Sequence, residues 1–168
     1  MAEEIVNRVA KSKLKVIDLE DFYPKGERKI IDVSEWLYEG LVLREKEFRA
    51  HISSHNWEQY RNCFVAMTCS TDAIIPEWAF MLVTTKLRNI AQLAVVGSLE
   101  VLETVIYTKI ISNLDPTPYE NLPVIIKGCS KKPVPVNALI LLTQKLQPVA
   151  KSIMFGEACS AVPLYKRK

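Results

Sequence analysis

Several common catalytic signatures are missing from this 168-residue chain. It has no Gly-x-Ser-x-Gly elbow, no P-loop and no dinucleotide fingerprint, which removes the sequence grounds for serine hydrolysis and for phosphate binding by those loops. It also lacks the C-x-x-C knuckle that makes zinc motifs specific. No apolar run approaches the ~20 residues that a helix needs to span a bilayer. Met1-Ala2-Glu3-Glu4-Ile5 begins acidic and has no apolar h-region, so no secretory signal is expected and the cytoplasm is the expected compartment. Charge of one sign is scarce as well. The net charge of +3 is too small to argue for nucleic acid or an anionic membrane. Part of it sits in Lys166-Arg167-Lys168, which reads as a frayed tail.

What is present is an ordinary globular composition, 49% hydrophobic and 24% charged, long enough for one domain with its own core. We expect a single α/β domain over residues 1–168. Its mainly parallel sheet is flanked by helices on both faces, with an N-terminal hairpin and helix added. Glu3 to Lys11 fits a short helix, and Leu14–Leu19 and Lys29–Val33 read as strands that could pair as the hairpin. Ser34 is placed to cap a following turn. A charged helix over 44–55 carries Phe48 and Ile52 inward. Strands at Cys63–Thr68, Leu93–Gly97 and Val124–Lys127 then alternate with helices near 77–88, 99–114 and 136–147, the order of parallel strands joined by crossovers. Pro148 starts or kinks a further helical piece ending near Gly156. Trp36, Trp57, Tyr60, Trp78 and Phe80 read as core and rim packing.

The chemistry lies in the cysteines. Three of the four sit in Cys-Ser dipeptides: Cys69-Ser70, Cys129-Ser130 and Cys159-Ser160. Cys69 and Cys129 each end a short apolar, β-prone run. If both runs are parallel strands of one sheet, both thiols reach its carboxyl edge, where open α/β sheets bind ligands. Cys159 joins them if the chain breaks near Pro148 and climbs back. Three thiolates with an open position suit zinc or an iron–sulfur cluster, with Asp72, or else Glu157, as the carboxylate nearby. Cys63 reads as a small apolar core residue, and packing alone is the bland reading for the rest.

A second reading makes Cys129 a nucleophile or persulfide carrier, activated by Lys131 and Lys132. No histidine is evidently placed as its base. His51 and His55, four apart on the charged helix, read as an exposed face rather than a metal pair. Lys131-Lys132, with Gly97-Ser98 at another strand end, also suggests phosphate binding. A non-catalytic binding module is the third reading.

Four stretches carry a family resemblance: 19–24 (LEDFYP), 68–73 (TCSTDA), 127–137 (KGCSKKPVPVN) and 152–165 (SIMFGEACSAVPLY). Together they span nearly the whole chain, which resembles an uncharacterised Bacteroidetes family, domain of unknown function 2480. The resemblance brings no established activity. It implies a setting near the sulfur-mobilisation steps of iron–sulfur cluster assembly, with assembly proteins as partners. Neither nucleic acid nor a membrane is expected as a partner, and a homo-oligomer is compatible with the sequence.

Overall fold

The structure, a computed structural model, describes residues 13–128 and 131–168. The helix expected over Glu3–Lys11 lies outside the described residues. In chain order the elements are β1 (Lys15–Ile17), β2 (Arg28–Asp32), α1 (Glu45–Ser54), β3 (Phe64–Thr68), α2 (Glu77–Leu87), β4 (Leu93–Val96), α3 (Leu99–Asn113), β5 (Pro123–Ile126), α4 (Val136–Leu146), β6 (Ser152–Phe155) and β7 (Val162–Lys166). Short 3-10 turns follow β1 and β2 and precede β3 and β5. The α/β class holds: strand pairing is mainly parallel and helices flank the sheets. No helix among the described residues is long and apolar enough to cross a membrane.

The chain forms two compact units, residues 24–106 and residues 1–23 with 107–168. The first holds a three-stranded parallel sheet in the order β2-β3-β4. Its central strand β3 is buried on both faces, so it is a continuous apolar run rather than an alternating one. On one face Ile31, Val65 and Met67 pack with Phe48 and Ile52 of α1 and with Ala79 and Val83 of α2. On the other, Arg28 of β2 donates to the Glu103 carboxylate of α3 at 2.6 Å, with both side chains nearly enclosed. Nη2 also donates to Glu103 at 3.3 Å, the carbonyls of Pro24 and Gly26 accept from Nη1, and the guanidinium lies over the Phe64 ring. A buried ion pair is tolerable only with hydrogen bonds of this completeness.

The second unit holds a four-stranded sheet in the order β1-β5-β6-β7, parallel except for the β6–β7 pair. Ile17, Val124, Ile126 and Ile153 form one core with Tyr107 and Ile111 of α3 and Ala138, Leu142 and Leu146 of α4. The buried Tyr107 hydroxyl donates to the Leu19 carbonyl at 2.9 Å.

Four expectations need correction. The two cysteine strands do not share a sheet: β3 is flanked by β2 and β4, whereas β5 is flanked by β1 and β6. Each is an interior strand of its own sheet. Nor do β1 and β2 form a hairpin, because β1 pairs with β5 and β2 with β3, both in parallel. After Pro148 the chain forms β6, not a helical piece. The residues toward the C-terminus form β7, and Arg167 is tied down by bonds to Asn121 and Pro148, so this end is not frayed.

Candidate functional site

Parallel pairing of β1, β5 and β6 sets three carboxyl ends side by side, in the register Ile17↔Ile126 and Ile126↔Phe155. Asp18 leaves β1 there, Lys127-Gly128 leaves β5, and Gly156-Glu157-Ala158-Cys159 leaves β6. Two amides extend the ladder past the strands: Lys127 N–H donates to the Ile17 carbonyl and Gly156 N–H to the Ile126 carbonyl, each at 2.9 Å. Gly128 is needed for close approach. A Cβ added there would stand 2.7 Å from the Phe155 ring.

Asp18 and Lys127 form an ion pair at this edge. Lys127 Nζ sits 2.9 Å from Asp18 Oδ2, while Asp18 Oδ1 accepts the Glu20 amide and so caps the 3-10 turn Leu19–Phe22. Partial burial would raise the Asp18 pKa, but the Lys127 and Glu20 hydrogen bonds outweigh it and hold the carboxyl below its ordinary range. The bond to Asp18 raises the Lys127 pKa, with further help from Glu157 and Asp21. The Glu20 carboxylate accepts the backbone N–H groups of both Lys131 and Lys132. Lys132 Nζ lies 5.3 Å from the centre of the Tyr23 ring.

Cys159 is exposed in the turn between β6 and β7, which is closed by the Ser160 amide donating to the Glu157 carbonyl at 2.9 Å. The chain thus returns to this edge through a strand that begins just after Pro148. A break at the proline was anticipated, but the extended form of the returning piece was not. Cys129 lies outside the described residues. Its neighbour Gly128 lies two residues past the end of β5 at this edge, and the Lys131 amide meets Glu20.

Cys69 and Asp72 belong to the other unit, at the carboxyl edge of β2-β3-β4. Cys69 is half-buried, with Sγ 3.4 Å from Thr71 Oγ1, and that hydroxyl donates to the Gly40 carbonyl at 2.6 Å. Asp72 is exposed. The organising group is Asp32, whose Oδ1 accepts the amides of Ser34 and Ser70, each at 3.0 Å. Asp32, not Ser34, caps the turn after β2. Burial would raise its pKa; hydrogen bonds from Ser70 and Ser34 overcome that and bring it down to about 2. The Ser34 and Ser70 hydroxyls are themselves 3.0 Å apart. Cys63 is buried in the core of this unit, as its sequence setting implied.

The two histidines do not share an exposed helix face. His51 is exposed, whereas His55 ends α1 and turns in among Trp36, Trp57 and Tyr60, with Nε2 2.9 Å from the Tyr60 hydroxyl. Burial lowers the His55 pKa, and Glu35 opposes it only in part.

Among the described residues no three His, Cys, Asp or Glu side chains gather as a metal-ligand set. Sequence reasoning missed Asp18, Glu20, Lys127 and Asp32. The available signal was an aspartate just at or after a strand's last residue, since such carboxylates cap the turn that follows. Comparison with curated proteins yields no match, and comparison with solved structures yields none. A family model matches residues 3–167, and the chain belongs to that family, described as protein of unknown function (DUF2480).

Proposed function

We propose that this is a cytoplasmic thiol protein, a sulfur carrier in sulfur metabolism or iron–sulfur cluster assembly, working from the carboxyl edge of the four-stranded sheet. Cys129 and Cys159 are its thiols. One observation carries the reading: the β6–β7 turn presents an exposed Cys159 at the sheet edge where β5 ends, and Cys129 follows the last residue of β5 by three positions in the sequence. In the step envisaged, the Cys129 thiolate attacks the outer sulfur of a donor persulfide. The bond between the donor's two sulfurs breaks, the donor leaves as a thiolate, and the outer sulfur stays on Cys129 as a new persulfide. Cys159, exposed in the β6–β7 turn, is the second thiol of the reading. Cys69, in the other unit and bonded to Thr71, is not needed.

The test is persulfide loading of the native chain by a small-molecule persulfide donor, read by mass spectrometry of each cysteine. Loading on Cys129 that disappears in Cys129→Ser supports the proposal. Loading spread evenly over all exposed thiols, or none, sinks it.

A second reading keeps a metal at the same edge. Glu157 lies two residues before Cys159 in the same turn, and two thiolates with a carboxylate form a donor set suited to zinc. Such an ion would supply Lewis acidity or a structural clamp; an iron–sulfur cluster would draw on the same thiolates. Anaerobic purification with metal and sulfide analysis decides it. Stoichiometric metal that is lost in Cys129→Ser and Cys159→Ser but kept in Cys69→Ser favours this reading, and trace metal after reconstitution removes it.

A further inference from the structure

The loop between β5 and α4 holds a feature that the thiol chemistry does not use. Two successive backbone amides, of Lys131 and Lys132, converge on one carboxylate oxygen of Glu20. Consecutive N–H groups aimed at one point make a nest, a concavity that binds anions. Here the anion is the chain's own. Glu20 reaches the nest from the turn Leu19–Phe22, whose backbone is held separately by Asp18, so its side chain can leave without undoing the turn. Both lysines are exposed, which puts the nest at the surface beside two cations. Lys127, on the same edge, is held by Asp18 with Glu157 and Asp21 close by, so its charge is already answered. Displacing Glu20 would leave the nest without its anion.

We propose that the Lys131–Lys132 nest is a binding site for a tetrahedral oxyanion, with Glu20 as a built-in occupant that the ligand displaces. Phosphate and sulfur oxyanions such as thiosulfate share the required chemistry: several oxygens, negative charge and a size that fits two amides. A carboxylate already in place sets a threshold, so only an anion offering more charge or more oxygens than Glu20 wins the nest. The site uses neither thiol and does not rest on the carrier reading.

The experiment is an amide-resolved NMR titration of the full chain with inorganic phosphate, and separately with thiosulfate, at constant ionic strength. Saturable shifts are expected at the Lys131 and Lys132 amides. Glu20→Ala, which removes the competitor, is expected to tighten binding at least about tenfold, the scale of one charge-assisted hydrogen bond. Lys131→Gln with Lys132→Gln is expected to weaken it. Glu20→Gln, a neutral acceptor of the same shape, should fall between wild type and Glu20→Ala, and it serves if the alanine variant does not fold. The response is expected to persist when Cys129 and Cys159 are both changed to serine, which separates this site from the thiol reading. Stronger binding of one anion identifies the source. No saturable shift with either anion, or equal affinity in wild type and the Glu20 variants, overturns the proposal and leaves Glu20 as a loop fastening.

Discussion

Removing the Asp32 carboxylate tests whether the ends of β2 and β3 are joined by charge or merely by packing. Its Oδ1 accepts two amides, Ser34 from its own turn and Ser70 from the loop after β3. The fall from the ordinary 3.8 to about 2 corresponds to about 2.4 kcal/mol at 1.36 kcal/mol per unit. Water reaches this half-buried carboxylate, and screening reduces that to about 1 kcal/mol. Asp32→Asn, which keeps an acceptor without the charge, should therefore cost about 1 kcal/mol. Asp32→Ala also strands two amides and should cost about 2 kcal/mol, a fall of roughly 4–8 °C in Tm for a chain of this length. The chain's three tryptophans, Trp36, Trp57 and Trp78, all lie in the unit that contains Asp32, so their fluorescence in urea reports the right transition. The sign with pH is fixed. A depressed carboxyl pKa adds stability above 3.8 that is lost as pH falls toward 2, so wild type and Asp32→Asn should converge in that window. Equal urea midpoints at pH 7, or a difference that does not shrink below pH 3.8, would refute the reasoning.

Other expectations follow from the same geometry. His55 has a pKa lowered from 6.5, so its contribution is complete above 6.5 and falls away as pH drops below it; His55→Gln should flatten that slope in urea midpoints between pH 7 and 5. Glu103→Ala should destabilise the 24–106 unit by about 3 kcal/mol by leaving the Arg28 guanidinium enclosed without its carboxylate, and pairing it with Arg28→Met should recover much of the loss in the same assay. Gly128→Ala should cost about 1–3 kcal/mol because the new methyl meets the Phe155 ring; circular dichroism melts of that variant with Phe155→Leu should show partial relief.

How much of this was legible depends on which kind of information each feature needs. The runs at 64–68 and 123–126 are apolar without alternation, and both are interior strands with neighbours on either side, as such runs imply. Phe48 and Ile52 fall on the buried side of α1 as their spacing requires. Pairing partners are another matter. Nothing in Leu14–Leu19 says that its edge will meet residues over 100 positions away rather than the adjacent strand, so the hairpin and the single sheet were both wrong. The segment Ser152–Phe155 is short enough to fit a helical turn or a strand; β5 on one edge and β7 on the other settle it as β6. At the candidate site, a break near Pro148 was legible, but the strand that carries the chain on to Cys159 was not, because the sequence there reads as a helical piece. Glu20 capping the Lys131–Lys132 amides was not legible either, because that contact joins segments that only the β1–β5 pairing brings together.

The most direct measurement of the central claim is the alkylation rate of each cysteine in the native full-length chain near neutral pH, resolved by mass spectrometry. The account predicts rapid labelling of Cys129 and Cys159, slower labelling of the half-buried Cys69, and protection of the buried Cys63 until the chain unfolds. Labelling of Cys129 and Cys159 no faster than that of Cys69, in metal-free protein, would contradict it.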